Sequence, residues 1–467
     1  MLLQCDLNPL GLQIMKTKKI WCFLKPPTVI GLILIVVGLY WYGAVEQLTR
    51  VNTNMNTTDQ IAYMNYARSL YNSNYTFIGG HNRMPVYPSL QSLFYRPDMT
   101  DEAFFTRGKY INLVLSLGLL AGLAFVFRQF FSRLHSLNLL LIVAFTVFIF
   151  KAGYFQAELL FYFLNFCLFL FMWKFLQRMS WRLAILTGIV AGLAHLTKAS
   201  ILPGLVIFMV LAGFKWGWFT LRSRHSSGDA FPTKFNLSHL LAVLLVGAFF
   251  LITVFPYINT SKRVFGHYFY NVNSTFYIWY DSWEEAKQGT RAHGDRVGWP
   301  NMPPDEIPSM SRYLREHTLQ QIIGRFVDGG QRVRNSVVNS YGYFKYIVLY
   351  SCLLIISILR SWRQVRQAVM SNPFLCLFLV MYFTGYILLY FWYAPIVSGN
   401  RLILAQFLPF MFTVSYGLHT LLISPRLKAR VFSVYSLENI NLAILPIVIA
   451  DIYFVLTERV ATMYGGW

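Results

Sequence analysis

Charge is what this chain has least of. Its 467 residues include 19 acidic and 40 basic side chains, and charged residues make up only 13% of the total. That shortage, together with 56% hydrophobic residues and a mean hydropathy of +0.47, excludes an ordinary soluble domain of this length and reads as a polytopic membrane protein. Cysteine is also scarce: Cys5, Cys22, Cys167, Cys352 and Cys376 fall in the N-terminal tail, at the start of the first span or in apolar segments. They offer neither a disulfide framework nor a zinc spacing. No internal repeat emerges, which counts against a transporter built from duplicated halves. The first apolar run has basic flanks and no small-residue cleavage site after it, as expected of a retained anchor and not of a removed signal. Met15, followed by Lys16, Lys18 and Lys19, reads as a natural start behind a dispensable tail.

What is present is a net charge of +21, much of it in short loops between apolar runs. In a soluble chain it would suggest nucleic acid; here it sets orientation, so anionic membrane lipid is the expected partner and nucleic acid is not. Apolar runs near the length of a bilayer crossing occur at Thr28 to Val45, Tyr110 to Phe127, Leu137 to Phe150, Ala157 to Trp173, Leu183 to Leu196, Ile201 to Phe219, Leu237 to Tyr257, Tyr346 to Leu359, Pro373 to Tyr393, Leu402 to Leu422 and Asn439 to Leu456. The pattern predicts an all-α polytopic membrane protein of about eleven transmembrane helices with juxtamembrane helices on one face. Lys16, Lys18, Lys19 and Lys25 place the N-terminus in the cytoplasm. Alternation then puts the basic linkers at Arg128 and Arg133, Lys174 to Arg182, Lys215 to Lys234, Arg360 to Arg366 and Arg426 to Arg430 on the same side. The opposite side receives two long polar loops, 46–109 and 258–345.

Six ionisable residues sit beside the ends of apolar runs on that opposite side: Asp59, Arg83, Lys151, Glu158, Lys198 and Arg401. Charges so placed cost several kcal/mol unless they face a polar cavity or one another, which makes them candidates for one shared site. Snorkelling anchors are the alternative reading of Lys151, Lys198 and Arg401 taken singly. In the first loop, Thr57 to Tyr71 reads as a surface helix with a threonine cap, and Asp59 falls in its first turn. Farther on, Gly79-Gly80-His81-Asn82-Arg83-Met84-Pro85-Val86-Tyr87-Pro88 reads as a rigid basic and aromatic turn that fixes the Arg83 guanidinium, a group suited to phosphate. The second loop is rich in Tyr and Trp with Asp281, Glu284 and Glu285 nearby, which suits either sugar recognition or an interfacial hairpin. Its later part, Ile307 to Val338, has helical spacing and places Arg325, Arg332 and Arg334 at the flank of a lipid headgroup. Asp451 stands apart, deep in the last apolar run. Asn56, Asn74, Asn259 and Asn273 head glycosylation sequons, which do not distinguish an endoplasmic reticulum lumen from a bacterial periplasm.

The chain resembles the GT-C superfamily of glycosyltransferases that use lipid-linked sugars, near the protein mannosyltransferase and lipid A aminoarabinose transferase group. The likeness rests on Asp59 with Gln60 and Tyr63, on Arg83, Pro85, Tyr87 and Pro88, and on Glu158 opening the fourth span. It extends to Gly188-Ile189-Val190-Ala191-Gly192-Leu193-Ala194-His195-Leu196-Thr197-Lys198 and to Arg401-Leu402 ahead of Phe407-Leu408-Pro409-Phe410, covering Val29 to about Leu422. It implies a GT-C fold, with residues 28–457 as one catalytic domain between a cytoplasmic tail, 1–27, and an outer-face tail, 458–467. It implies Asp59 as general base, Arg83, Lys198 and Arg401 at the carrier phosphate, and Glu158, His81 and Tyr63 as a second acid or pocket. The expected substrates are a polyprenyl-phosphate sugar and a glycan, lipid or protein acceptor, with no cofactor and no metal. Asp59-Gln60 replaces the two adjacent acids of many relatives, and Arg83-Met84-Pro85 replaces their basic-Pro-Pro sequence. A bacterial inner membrane with the site facing the periplasm is the expected setting, the endoplasmic reticulum the alternative. A transporter or lipid flippase is the rival reading.

Overall fold

The computed structural model of the chain describes residues 26–76, 83–225, 237–397, 399–423 and 434–466, and every regular element among them is helical. The N-terminal lysines, His81 with its neighbours Gly79 to Asn82, and Arg426 to Arg430 lie outside the described residues. Helix α1 (Pro26–Glu46) runs into a π turn at Gln47–Val51. Two short helices follow, α2 (Gln60–Asn72) and α3 (Val86–Ser92), and then the long α4 (Asp101–Phe130). Helix α5 (Arg133–Val143) continues through a π turn into α6 (Ile149–Ala152). Next come α7 (Glu158–Gln177), α8 (Trp181–His195), α9 (Leu202–His225) and α10 (Leu237–Phe265). The second long loop forms the small helices α11 (Val272–Thr275), α12 (Trp283–Gln288) and α13 (Met310–Glu316) and the amphipathic α14 (Leu319–Val338). The remainder comprises α15 (Phe344–Arg360), α16 (Trp362–Ser371), α17 (Pro373–Tyr393), α18 (Arg401–Leu404), α19 (Phe407–Ile423) and α20 (Val434–Phe454).

Local chemistry sets many of the boundaries. Thr100, Ser132 and Ser180 accept hydrogen bonds from backbone N–H groups three residues on and so cap α4, α5 and α8. Thr318 and Gln321 form a reciprocal capping box on α14. Eight segments among the described residues are long and apolar enough to cross a membrane, which is the organisation of a multi-pass membrane protein. The expected eleven is not reached on length. Trp181–His195 and Phe407–Leu422 are shorter apolar helices, and α15 and α16 form one pair bent by 96°. At about 1.5 Å per residue such helices fall short of a hydrocarbon layer of about 30 Å.

The centre is built by α5, α6 and α7. The apolar stretch of Arg133–Ala152 is 89% buried and that of Glu158–Gln177 is 67% buried, against 17% for Pro27–Val51, so α1 is peripheral. Helix α7 packs against α4, α8, α17 and α19. Two glycines of the Gly188-to-Lys198 stretch serve helix packing: a Cβ at Gly188 would meet the Val246 carbonyl oxygen at 2.6 Å, and one at Gly192 would meet the Thr253 Cβ at 2.5 Å. This close approach of α8 and α10 fixes the C-terminal end of α8, three residues ahead of Lys198.

Candidate functional site

Asp59 is the N-cap of α2, but its side chain makes no capping bond. The expected threonine cap is therefore corrected. Thr57 and Thr58 precede the helix, Thr58 adopts φ of +59°, and its hydroxyl accepts a 2.7 Å hydrogen bond from Gln156. Gln60 is wholly buried; its Oε1 accepts from the Asn52 amide at 2.8 Å and from the Phe155 backbone N–H at 2.9 Å, while its own amide donates to Asn52. Both neighbours of Asp59 are thus pinned to the 153–156 turn just before α7. Gln60 works here as a structural clamp.

That clamp turns the Asp59 carboxylate towards two arginines from distant parts of the chain. Arg83 binds one oxygen, and Arg401 Nη1 binds the other at 2.8 Å. The Arg83 turn is itself tied down, because the Val86 N–H donates to the Leu196 carbonyl at 3.0 Å, two residues before Lys198. The segment read as a rigid turn passes at Val86 into α3, and Pro88 lies within its first turn, where a missing N–H is tolerated. Arg401 opens α18, which α7 holds through Tyr162 on the Arg401 carbonyl at 3.0 Å and Asn165 on the Ala405 carbonyl at 2.8 Å. Burial pushes the Asp59 carboxyl up, but Arg83, Arg401 and Lys198 outweigh it and hold it down at about 2. Burial likewise opposes the charge on Arg401, yet Asp59 and Glu158 keep its guanidinium protonated above the usual range.

A second ion pair adjoins the first. Glu158, at the N-terminus of α7, accepts from Lys198 Nζ at 2.8 Å; its other oxygen is buried without a hydrogen-bond partner. Lys151 is also buried and lies within electrostatic reach of Glu158. Tyr63, on α2, packs edge-on against Tyr87, and Arg83 lies 5.9 Å from its ring. Its phenol feels Glu158, Arg83, Asp59 and Arg401 together. The structure thus brings Asp59, Arg83, Glu158, Lys198, Arg401 and Tyr63 into one cluster, while His81 lies outside the described residues. Beside it, a groove of about 340 Å³ is lined by Leu70, Tyr75, Pro85, Val86, Ser89, Leu196, Thr253, Pro256 and Tyr257.

Other charged residues are engaged elsewhere. Asp281 accepts from Tyr313 at 2.8 Å and from Arg325 at 2.7 Å, with His317 Nε2 at 2.7 Å. Burial raises its carboxyl, but these partners hold it below the usual range. Arg325 also donates to the Trp392 and Ile278 carbonyls, so it ties the second loop to α17. Arg334 does line an apolar groove, of about 570 Å³, with Ile323, Phe326, Val327 and Phe391. Asp451 pairs with Lys345 and accepts from Tyr346 at 3.0 Å. Among the described residues no three His, Cys, Asp or Glu side chains gather where a metal ion would sit.

Sequence reasoning missed Asn52, Gln156 and the structural use of Gln60. Lone polar residues in a polar loop carry no periodic signal, and only the fold shows which of them are buried. Compared with known proteins, the chain matches no family model, no curated protein and no solved structure.

Proposed function

We propose that the chain is a membrane glycosyltransferase that moves a sugar from a polyprenyl-phosphate carrier to a hydroxyl on a glycan, lipid or protein acceptor. Asp59 takes the proton of the attacking hydroxyl, and Arg83, Arg401 and Lys198 face the carrier phosphate. The observation that carries this reading is the gathering of one partly exposed carboxylate and three cations from four separate segments beside an apolar groove. A positioned carboxylate contributes roughly 10²–10⁴-fold by accepting the proton of the nucleophile. Fixed cations stabilise the charge that develops on the departing phosphate, and guanidinium groups match its geometry. The groove by Pro85 and Tyr257 receives the first isoprene units of the carrier, two residues from Arg83. We place the site on the non-cytoplasmic face of a bacterial inner membrane, with the endoplasmic reticulum as the alternative setting.

The rival is a flippase, which would move the lipid-linked sugar unchanged. Purified protein in vesicles that contain polyprenyl-phosphate sugars separates the two. Release of the lipid monophosphate with transfer of the sugar supports the transferase. Passage of intact donor between leaflets without cleavage contradicts it.

A further inference from the structure

The Asp59 carboxylate is paired with the two guanidiniums that the proposed function assigns to the carrier phosphate. Arg83 holds one of its oxygens and Arg401 the other, and the Asp59 side chain is 24% exposed, so an incoming anion can reach the group. Lys198 is the nearby cation already committed elsewhere, to Glu158 at 2.8 Å. Asp59 and its two arginines therefore carry one positive charge in excess while the carboxylate is ionised, and two when it is protonated. The substrate changes charge in step. A lipid-phosphate sugar is a phosphodiester with a single negative charge, whereas the lipid monophosphate left after transfer carries about 1.5 to 2 at neutral pH.

We propose that Asp59 and the carrier phosphate share the guanidiniums of Arg83 and Arg401, and that proton transfer to Asp59 hands them over to the leaving phosphate. This rests on the glycosyl-transfer reading given above. In the step itself, the acceptor O–H bond breaks and its proton goes to a carboxylate oxygen of Asp59. The freed oxygen pair forms the bond to the anomeric carbon, and the anomeric carbon–oxygen bond to phosphate breaks with its electron pair on the phosphate. Asp59 becomes neutral as the phosphate gains its second charge, so the arginines bind the transition state more strongly than the donor, which is what acceleration requires. Loss of the Asp59 proton to solvent then restores the ion pairs and expels the lipid phosphate. Burial raises the Asp59 carboxyl, but Arg83, Arg401 and Lys198 together hold it at about 2, a poor value for a base, and passing the two arginines to the phosphate relieves that.

The competing role for Asp59 is that of an organiser, which keeps two mutually repelling arginines together for the phosphate. The two roles differ in sign when Asp59 is neutralised. Binding of a short-chain polyprenyl monophosphate in detergent is measured for the wild type, Asp59→Asn and Asp59→Ala, with the parent polyprenol as the uncharged control and a single cooperative melt above the assay temperature as the check on folding. Hand-over predicts tighter monophosphate binding in both variants, by roughly fivefold or more, the usual scale of coupling between two binding equilibria, with polyprenol binding unmoved. Arg401→Gln and Arg83→Lys weaken binding in the same assay. Equal or weaker binding by the Asp59 variants, with the wild type still binding, overturns the hand-over and leaves the phosphate site standing. No preference of any form for monophosphate over polyprenol overturns the phosphate site and the hand-over together.

Discussion

Gln60 and Asn52 exchange two side-chain hydrogen bonds of 2.8 Å, each amide donating to the oxygen of the other. Asn52 donates also to the Gly153 carbonyl at 2.8 Å, so the pair joins the start of α2 to the turn that precedes α7. Asp59 hangs on this joint. Its aim at Arg83 and Arg401 is a consequence of amide chemistry on either side of it more than of any bond it makes to its own helix.

Gln60→Ala should strand the Asn52 Oδ1 and the Phe155 N–H in a buried position, at a cost of about 1–3 kcal/mol for the unsatisfied groups. The melting temperature in detergent should fall, and turnover should fall with it. Gln60→Glu should do no better, because the amide that donates to Asn52 is lost. A Gln60→Glu protein as stable and active as the wild type would show that the joint is dispensable.

Glu158 and Lys198 are both shielded, with side-chain exposures of 3% and 17%, so the pair should behave as a buried one. Lys198→Met takes from the buried Glu158 carboxylate its hydrogen-bonded cation, with Lys151 and Arg401 only partly making up for it, and should cost up to about 3–5 kcal/mol. Adding Glu158→Gln removes that charge and should recover part of the loss. Thermal melts of the two single variants and the double variant read the result directly; additive losses would mean that the two groups do not act as a pair.

The pH dependence follows from Asp59. Burial raises its carboxyl, but the cations win and lower it from the ordinary 3.8 to about 2. A depressed acid contributes stability that is fully present above the unfolded value and lost as the pH falls through the folded one. The difference in melting temperature between the wild type and Asp59→Asn should therefore stay constant from about pH 5 to pH 8 and shrink only below about pH 4. A difference that titrates near neutral pH would mean that the arginines do not control Asp59.

Much of the bundle was legible in the sequence, because a membrane imposes long apolar runs and a positive bias in the loops. The same logic picked out Asp59, Arg83, Glu158, Lys198 and Arg401, since charge beside an apolar run has few affordable fates. What remained hidden was pairing. Hydropathy cannot say that Arg401 reaches Asp59 across 342 residues, or that Arg325 turns inward to Asp281. Nor can it register that the chain turns by 96° between α15 and α16. The start of α2 moved from the threonines to Gln60 because Thr58 is held in a left-handed conformation by its contact with Gln156, a long-range effect.

Sidedness has its own test. Asn56 and Lys287 are exposed and lie in the two loops expected on one face, whereas the exposed Arg178 follows α7 at the opposite end. Cysteines introduced at Asn56 and Lys287 should react with an impermeant maleimide from the same side of sealed vesicles, and one at Arg178 only from the other side. Reaction of Asn56→Cys and Lys287→Cys from opposite sides would break up the proposed outer face.

The most direct measurement is single-turnover sugar transfer from a polyprenyl-phosphate donor by the wild type and Asp59→Asn in the same detergent. Asp59→Asn keeps the size of the side chain and removes the proton acceptor, so the variant should bind donor and release lipid phosphate roughly 10²–10⁴-fold more slowly. Turnover by Asp59→Asn at the wild-type rate would contradict a general base at this position and move the search to Glu158.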